Sequence, residues 1–91
     1  MEKAFLGESF ELRFRMYDAR DKTRTVDSAT FTVTDKDGTI IQSGALAIQE
    51  DGHTGIFRFT ATAKGQNKIV ISYRIGDDAW RQPFYLNVEE P

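Results

Sequence analysis

The chain is 91 residues long, with 40% hydrophobic residues, no cysteine, and a formal net charge of −2 from 12 basic and 14 acidic side chains. That length makes one domain around one core, the missing cysteines exclude disulfide staples and thiolate metal sites, and the charge balance argues against a dedicated nucleic-acid binder, whose affinity comes from clustered basic charge. No segment approaches the roughly 20 apolar residues of a membrane-spanning helix and Met1–Gly7 lacks the apolar run of a signal peptide, so membrane insertion is not expected and the chain reads as a complete small product.

Residues 1–8 read as an N-terminal arm and residues 9–88 as the folded body. From Ser9 to Tyr17, Phe10, Leu12, Phe14 and Met16 alternate with Glu11, Arg13 and Arg15. A period of two marks a strand with one wet and one buried face. The polar loop Asp18–Arg24 has no apolar anchor and is expected to be mobile. Ser28–Thr34 is the second strand, with Phe31 and Val33 inward and the β-branched Thr30, Thr32 and Thr34 on the pleated outer face. Asp35-Lys36-Asp37-Gly38 is a tight turn with Gly38 in the left-handed position. A short strand at Thr39–Gln42 is followed by a kink or turn at Gly44 and another short strand at Ala45–Gln49.

After the loop Glu50–Gly55, the strand Ile56–Ala63 turns inward Phe57, Phe59 and Ala61. Lys64–Asn67 turns the chain into the strand Lys68–Ile75, where Ile69, Ile71, Tyr73 and Ile75 face the core. Gly76-Asp77-Asp78 makes a hairpin to the last strand, Trp80–Val88, and residues 89–91 form a tail. Pro83 cannot donate a ladder hydrogen bond, so it belongs at a strand start, a bulge or an edge. The fold class is therefore all-β: a single sandwich of about seven antiparallel strands.

If these strands run alternately up and down, the loops group by charge. Asp35, Asp37, Glu50, Asp51, Asp77 and Asp78 meet at one pole with Lys36 as the lone cation. Arg20, Lys22, Arg24, Lys64 and Lys68 meet at the other, diluted by Asp18, Asp21 and Asp27. Such a bipolar domain can stack head to tail or dock on a charged surface.

Chemistry is sparse. His53 is the only histidine, and it lacks the base, nucleophile and oxyanion donors that catalysis would gather around it. Asp35-Lys36-Asp37-Gly38 opens like a calcium loop, but Leu46 stands where the bidentate acid is needed. A calcium site across the acidic pole, from Asp35, Asp37, Asp51 and Asp77, is the alternative metal reading. No catalytic residue, resident metal or cofactor is expected. The candidate interface residues are Arg13, Arg15, Arg58 and Arg74 on outer strand faces, with Tyr85 and Trp80. Arginine is planar, multidentate and weakly hydrated, and an outward aromatic anchors a partner or a sugar ring. Arg81 also lies on an outer face. Trp80 follows a turn, where it tends to cap the open end of a core.

The segment Gly55-Ile56-Phe57-Arg58-Phe59-Thr60-Ala61-Thr62-Ala63-Lys64-Gly65 resembles a strand and turn of filamin-repeat and bacterial immunoglobulin-like domains. Ile69-Val70-Ile71-Ser72-Tyr73 and Gln82-Pro83-Phe84-Tyr85-Leu86-Asn87-Val88 resemble their last hairpin. One departure is that Asn67 or Lys68 stands where an aromatic often follows the turn glycine, which leaves no tyrosine corner there. Short versions of this pattern look like structural proteins of tailed bacteriophages. The resemblance implies an immunoglobulin-like fold and a non-catalytic virion accessory protein, in capsid decoration, neck or tail. Its partners would be major capsid or tail subunits, or further copies of itself, assembled in the host cytoplasm. The alternative is a bacterial cell-surface or carbohydrate-binding module, with calcium assistance.

Overall fold

The computed structural model describes residues 2–91 and contains eight strands in two layers. They are β1 (Glu2–Phe5), β2 (Ser9–Arg15), β3 (Ser28–Thr34), β4 (Ile40–Ala45), β5 (Ala47–Ile48), β6 (Thr54–Thr60), β7 (Gly65–Ile75) and β8 (Asp78–Glu89). The larger sheet has the order β1-β8-β7-β3-β4 and the smaller β2-β6-β5. All pairings are antiparallel except β1 with β8, which is parallel. The expected all-β sandwich is present, with one strand more than the sequence suggested. The extra strand, β1, lies in the segment read as an arm. Only Ala4 of β1 is buried, so no alternation announces it.

Period-two patterning builds both layers. On β2 and β6 the inward pairs are Phe10 with Phe59, Leu12 with Phe57 and Phe14 with Gly55. On β3 and β7 they are Phe31 with Ile71 and Val33 with Ile69. Between the sheets runs an aromatic row. Phe31 stacks on Phe57 with centroids 3.8 Å apart, Phe57 on Phe14 at 5.9 Å, and Phe14 meets Phe84 at 4.6 Å. Gly55 keeps space in this core, because a Cβ there would meet Met16 Cε at 2.7 Å and Leu46 Cβ at 3.2 Å.

The chain does not reverse at Gly44. It runs on along β4, bends at the buried Leu46, whose N–H donates to the Ala29 carbonyl at 3.0 Å, and enters the other sheet as β5. Because this bend is a sheet switch and not a hairpin, every later loop changes pole. The turn at Asp35 and Asp37 lies beside Gly65, where Lys36 packs. The loop holding Glu50 and Asp51 lies at the opposite end, where Val26 N–H bonds the Gly52 carbonyl and Met16 N–H that of His53. Asp77 and Asp78 share that end, with Arg20 and Arg24. The expected segregation into an acidic and a basic pole is therefore corrected: both ends carry both signs.

Two buried or edge polar side chains complete the frame. The Gln42 amide on β4 donates to the Arg58 carbonyl at 2.6 Å and accepts from Thr60 N–H at 3.4 Å. It thereby stands in for a neighbouring strand along the open part of β6. Asn67, fully buried, donates from Nδ2 to the Ala63 carbonyl at 3.0 Å and the Gly65 carbonyl at 3.1 Å. An amide thus ties the turn before β7 where the sequence offers no aromatic. Asn67→Ala strands both carbonyls and is expected to cost about 1–3 kcal/mol, read as a lower urea midpoint at unchanged m-value.

Pro83 sits on β8 beyond the end of β1. The Glu89 carbonyl points to the β1 side, accepting from Leu6 N–H at 2.9 Å, and Pro83 has the same strand parity. Its missing N–H therefore faces the open edge, where no ladder bond is lost and strand addition is discouraged.

Candidate binding face

Strand register arranges the outward residues of the larger sheet in rows. Ser28, Arg74 and Ala79 form one row across β3, β7 and β8; Thr30, Ser72 and Arg81 the next; then Thr32, Val70 and Pro83; then Thr34, Lys68 and Tyr85. The result is a column of hydroxyls on β3 beside cations on β7 and β8. Arg74, Arg81, Lys68 and Tyr85 are exposed. Among the described residues, the ion pairs involve Lys3, Arg13, Arg20, Arg24 and Lys64, and none involves Lys68, Arg74 or Arg81. Small side chains leave two shallow depressions. One, of about 280 Å³, lies around Ser28, Thr30, Ser72 and Ala79 between Arg74 and Arg81. The other, of about 240 Å³, is lined by Lys68, Val70, Arg81 and Pro83.

The six residues singled out from sequence fall into three places. Arg74 and Tyr85 belong to this face. Arg13, Arg15 and Arg58 lie together on the outer face of the smaller sheet, where Arg58 is opposite Glu11, Arg13 opposite Ile56 and Arg15 opposite Thr54. There Arg13 pairs with Glu11 at 3.0 Å and Arg58 Nη1 donates to the Ser9 carbonyl at 3.1 Å. Trp80 points inward and stacks on buried Tyr73, with centroids 5.7 Å apart and planes 16° apart. It closes the core at the end of the sandwich. Sequence reading starts a strand at Lys68 and counts its charge with the basic pole, and it places Arg81 on an outer face without including it among the candidate interface residues. Register joins both to Arg74, and register is invisible without the pairing of β7 with β8.

The loop Asp18–Arg24, expected to be mobile, is pinned. Asp18 is buried and accepts from Arg20 N–H at 2.8 Å and from Arg24 Nη1 at 3.0 Å. Arg24 also reaches Asp78 at 3.2 Å and the Ile75 carbonyl at 3.1 Å. The Arg20 N–H, with the two guanidiniums, holds the Asp18 carboxyl below its ordinary value against the opposing effect of burial. Tyr73 adds a bond from its hydroxyl to the Tyr17 carbonyl at 3.1 Å, and burial raises its own pKa.

The loop acids are occupied by their own backbone. Asp35 accepts from Asp37 N–H at 2.9 Å and Thr39 N–H at 3.0 Å. Asp51 accepts from His53 N–H, the Thr54 hydroxyl and Thr54 N–H, which hold its pKa at about 2. His53 Nδ1 lies 3.3 Å from the Met16 carbonyl. Asp35 and Asp37 stand at the other end from Asp51 and Asp77, so the four acids considered for calcium do not converge. Among the described residues, no group of three or more His, Cys, Asp or Glu side chains is placed to hold a metal ion. Nor is any helix there long and apolar enough to cross a membrane.

No family model matches the chain, and no curated protein does. Among solved structures it is similar to an engineered protein, with a TM-score of 0.76 and 12% identity over 97% of this chain and 18% of that one. It is also similar to the endo-β-1,4-mannanase from Thermotoga petrophila, with a TM-score of 0.69 and 11% identity over 99% of this chain and 18% of the enzyme. At such identities the likeness shows the fold: a small β-sandwich. The chain spans 18% of the length of each of these two proteins.

Proposed function

We propose that the chain is a non-catalytic binding module of immunoglobulin-like topology that holds a carbohydrate polymer or cell-surface partner against its larger sheet. The observation that carries this reading is the outer face itself: cations that make no ion pair among the described residues, a hydroxyl column, two shallow depressions and the exposed Tyr85 in the row of Lys68. A flat, open face suits an extended partner, whereas small-molecule chemistry favours an enclosed pocket. The strand order, with β1 beside β8, β7 at the centre and β4 at the far edge over a β2-β6-β5 layer, supports the immunoglobulin-like assignment. Recurrence of the fold as a minor part of a glycan-cleaving enzyme's chain supports carbohydrate as the partner class. The rigid scaffold lowers the ordering cost of docking.

The test is retention on immobilised polysaccharides together with calorimetry on soluble ones. Tyr85→Ala is expected to weaken binding by about tenfold, the loss of one stacked aromatic anchor, while unfolding stays unchanged. Wild-type and Tyr85→Ala chains with equal affinity would remove Tyr85 from the contact.

The reading as a tailed-phage virion accessory rests on the sequence resemblance and uses the other face. Arg13, Arg15 and Arg58 share the outer surface of the smaller sheet, and docking there on capsid or tail subunits would need them. Quantitative mass spectrometry of purified particles separates the two readings. A fixed ratio to a major subunit makes the chain a virion component, and absence from particles removes that reading.

A further inference from the structure

We infer that the outer face of the larger sheet is a subsite for an acidic polysaccharide, one whose units carry carboxylate or sulfate groups beside free hydroxyls. This deepens the binding-module reading and rests on it. Arg74 and Arg81 occupy diagonal positions on β7 and β8, because Arg74 is opposite Ala79 and Arg81 opposite Ser72. Diagonal neighbours on a sheet stand about 7–8 Å apart, close enough for two guanidiniums to reach one anion from either side. Their common floor of Ser28, Thr30, Ser72 and Ala79 is small and partly hydroxylic. Lys68 lies six residues from Arg74 along β7, roughly 20 Å at strand rise, and brackets the second depression with Arg81. The cations therefore follow the strand direction, as the charges of an extended polymer would.

Two features select among polyanions. The hydroxyls of Ser28, Thr30, Thr32 and Thr34 run parallel to the cations, which matches a ligand presenting hydroxyls alongside its anions. A single-stranded nucleic acid would call for a series of stacking rings, and Tyr85 is the one aromatic in these four rows. The chain as a whole carries a charge of −2, so attraction to a polyanion is local to this face and not a property of the overall field.

The experiment measures binding of the full chain to polygalacturonate and dextran sulfate, with mannan, dextran and a single-stranded oligonucleotide alongside. Acidic polymers are expected to bind, and binding is expected to weaken as salt screens these exposed charges. The double change Arg74→Glu, Arg81→Glu is expected to lose about tenfold or more in affinity, and Arg74→Gln, Arg81→Gln a smaller amount in the same direction. Arg13→Glu with Arg15→Glu, on the opposite face, should change little. Thermal melts confirm that each variant is folded. Equal binding of mannan or dextran would overturn the acidic subsite and leave the binding-module reading standing. Binding of no polysaccharide would overturn both. Preference for the oligonucleotide would overturn the inference in favour of a phosphate polymer.

Discussion

Phe59→Ala is expected to lower the unfolding free energy by about 3–5 kcal/mol, the usual cost of emptying an aromatic core site. Phe59 is fully buried. Its ring meets Phe10 across the β2–β6 pair with centroids 5.7 Å apart and planes tilted by 58°. The site is enclosed by both sheets, so the walls have little freedom to collapse into the space left behind. Small domains hold only about 5–15 kcal/mol in total, and this change removes a large share of it. Thr60→Ala, one residue on and outward-facing, is the control, expected to stay within about 0.5 kcal/mol. Urea unfolding with fitted m-values checks both. A loss at Phe59 no larger than that at Thr60 would mean the inward phase of β6 has been misassigned.

That phase was legible in the sequence because alternation is a property of a single strand. Ser28–Thr34 matches β3 residue for residue, and Ile69, Ile71, Tyr73 and Ile75 are all buried as their spacing requires. Tyr85, named from the sequence as an outward aromatic, is exposed. What stayed hidden needs two segments at once. The switch at Leu46 decides on which end every later loop lies, yet β5 has two residues and no pattern. Reading that bend as a hairpin assigned Asp51 and Asp77 to the wrong companions. Gln42 reads as an ordinary strand polar, and its role depends on β6 running past β5. The binding face shows the same limit. Arg74 was marked by being outward, but its alliance with Arg81 and Lys68 exists only once β7 and β8 are set in register. Phe84 departs in the other direction. Its parity is inward and its ring meets Phe14 of the other sheet, yet it is 37% exposed.

Asp18→Ala is expected to free the segment between β2 and β3 while leaving both sheets in place. This aspartate looks like any loop acid in sequence, but its side chain is only 2% exposed and holds two arginines that in turn hold Asp78. Removing it leaves Arg24, itself half-buried, without its innermost partner, and truncating one member of a buried pair costs more than losing an exposed pair. Trypsin reads the effect directly, since Arg20, Lys22 and Arg24 are its natural targets. The wild-type loop should resist cleavage and the variant should be cut there, with its Tm lower by several degrees. The pH dependence has a definite sign. Asp18 and Asp51 both have folded pKa values below the ordinary 3.8, with Asp51 at about 2. Each contributes stability that is present above about pH 4 and lost as pH falls through its folded pKa. Asp18→Asn should therefore be less stable at neutral pH and show a shallower acid decline, and Asp51 together with Asp21, whose carboxyl the Thr23 hydroxyl and N–H hold below its ordinary value, should account for the part that remains. Unchanged trypsin resistance in Asp18→Ala would shift the clasp to the Tyr73–Tyr17 hydrogen bond, and Tyr73→Phe would then release the loop instead.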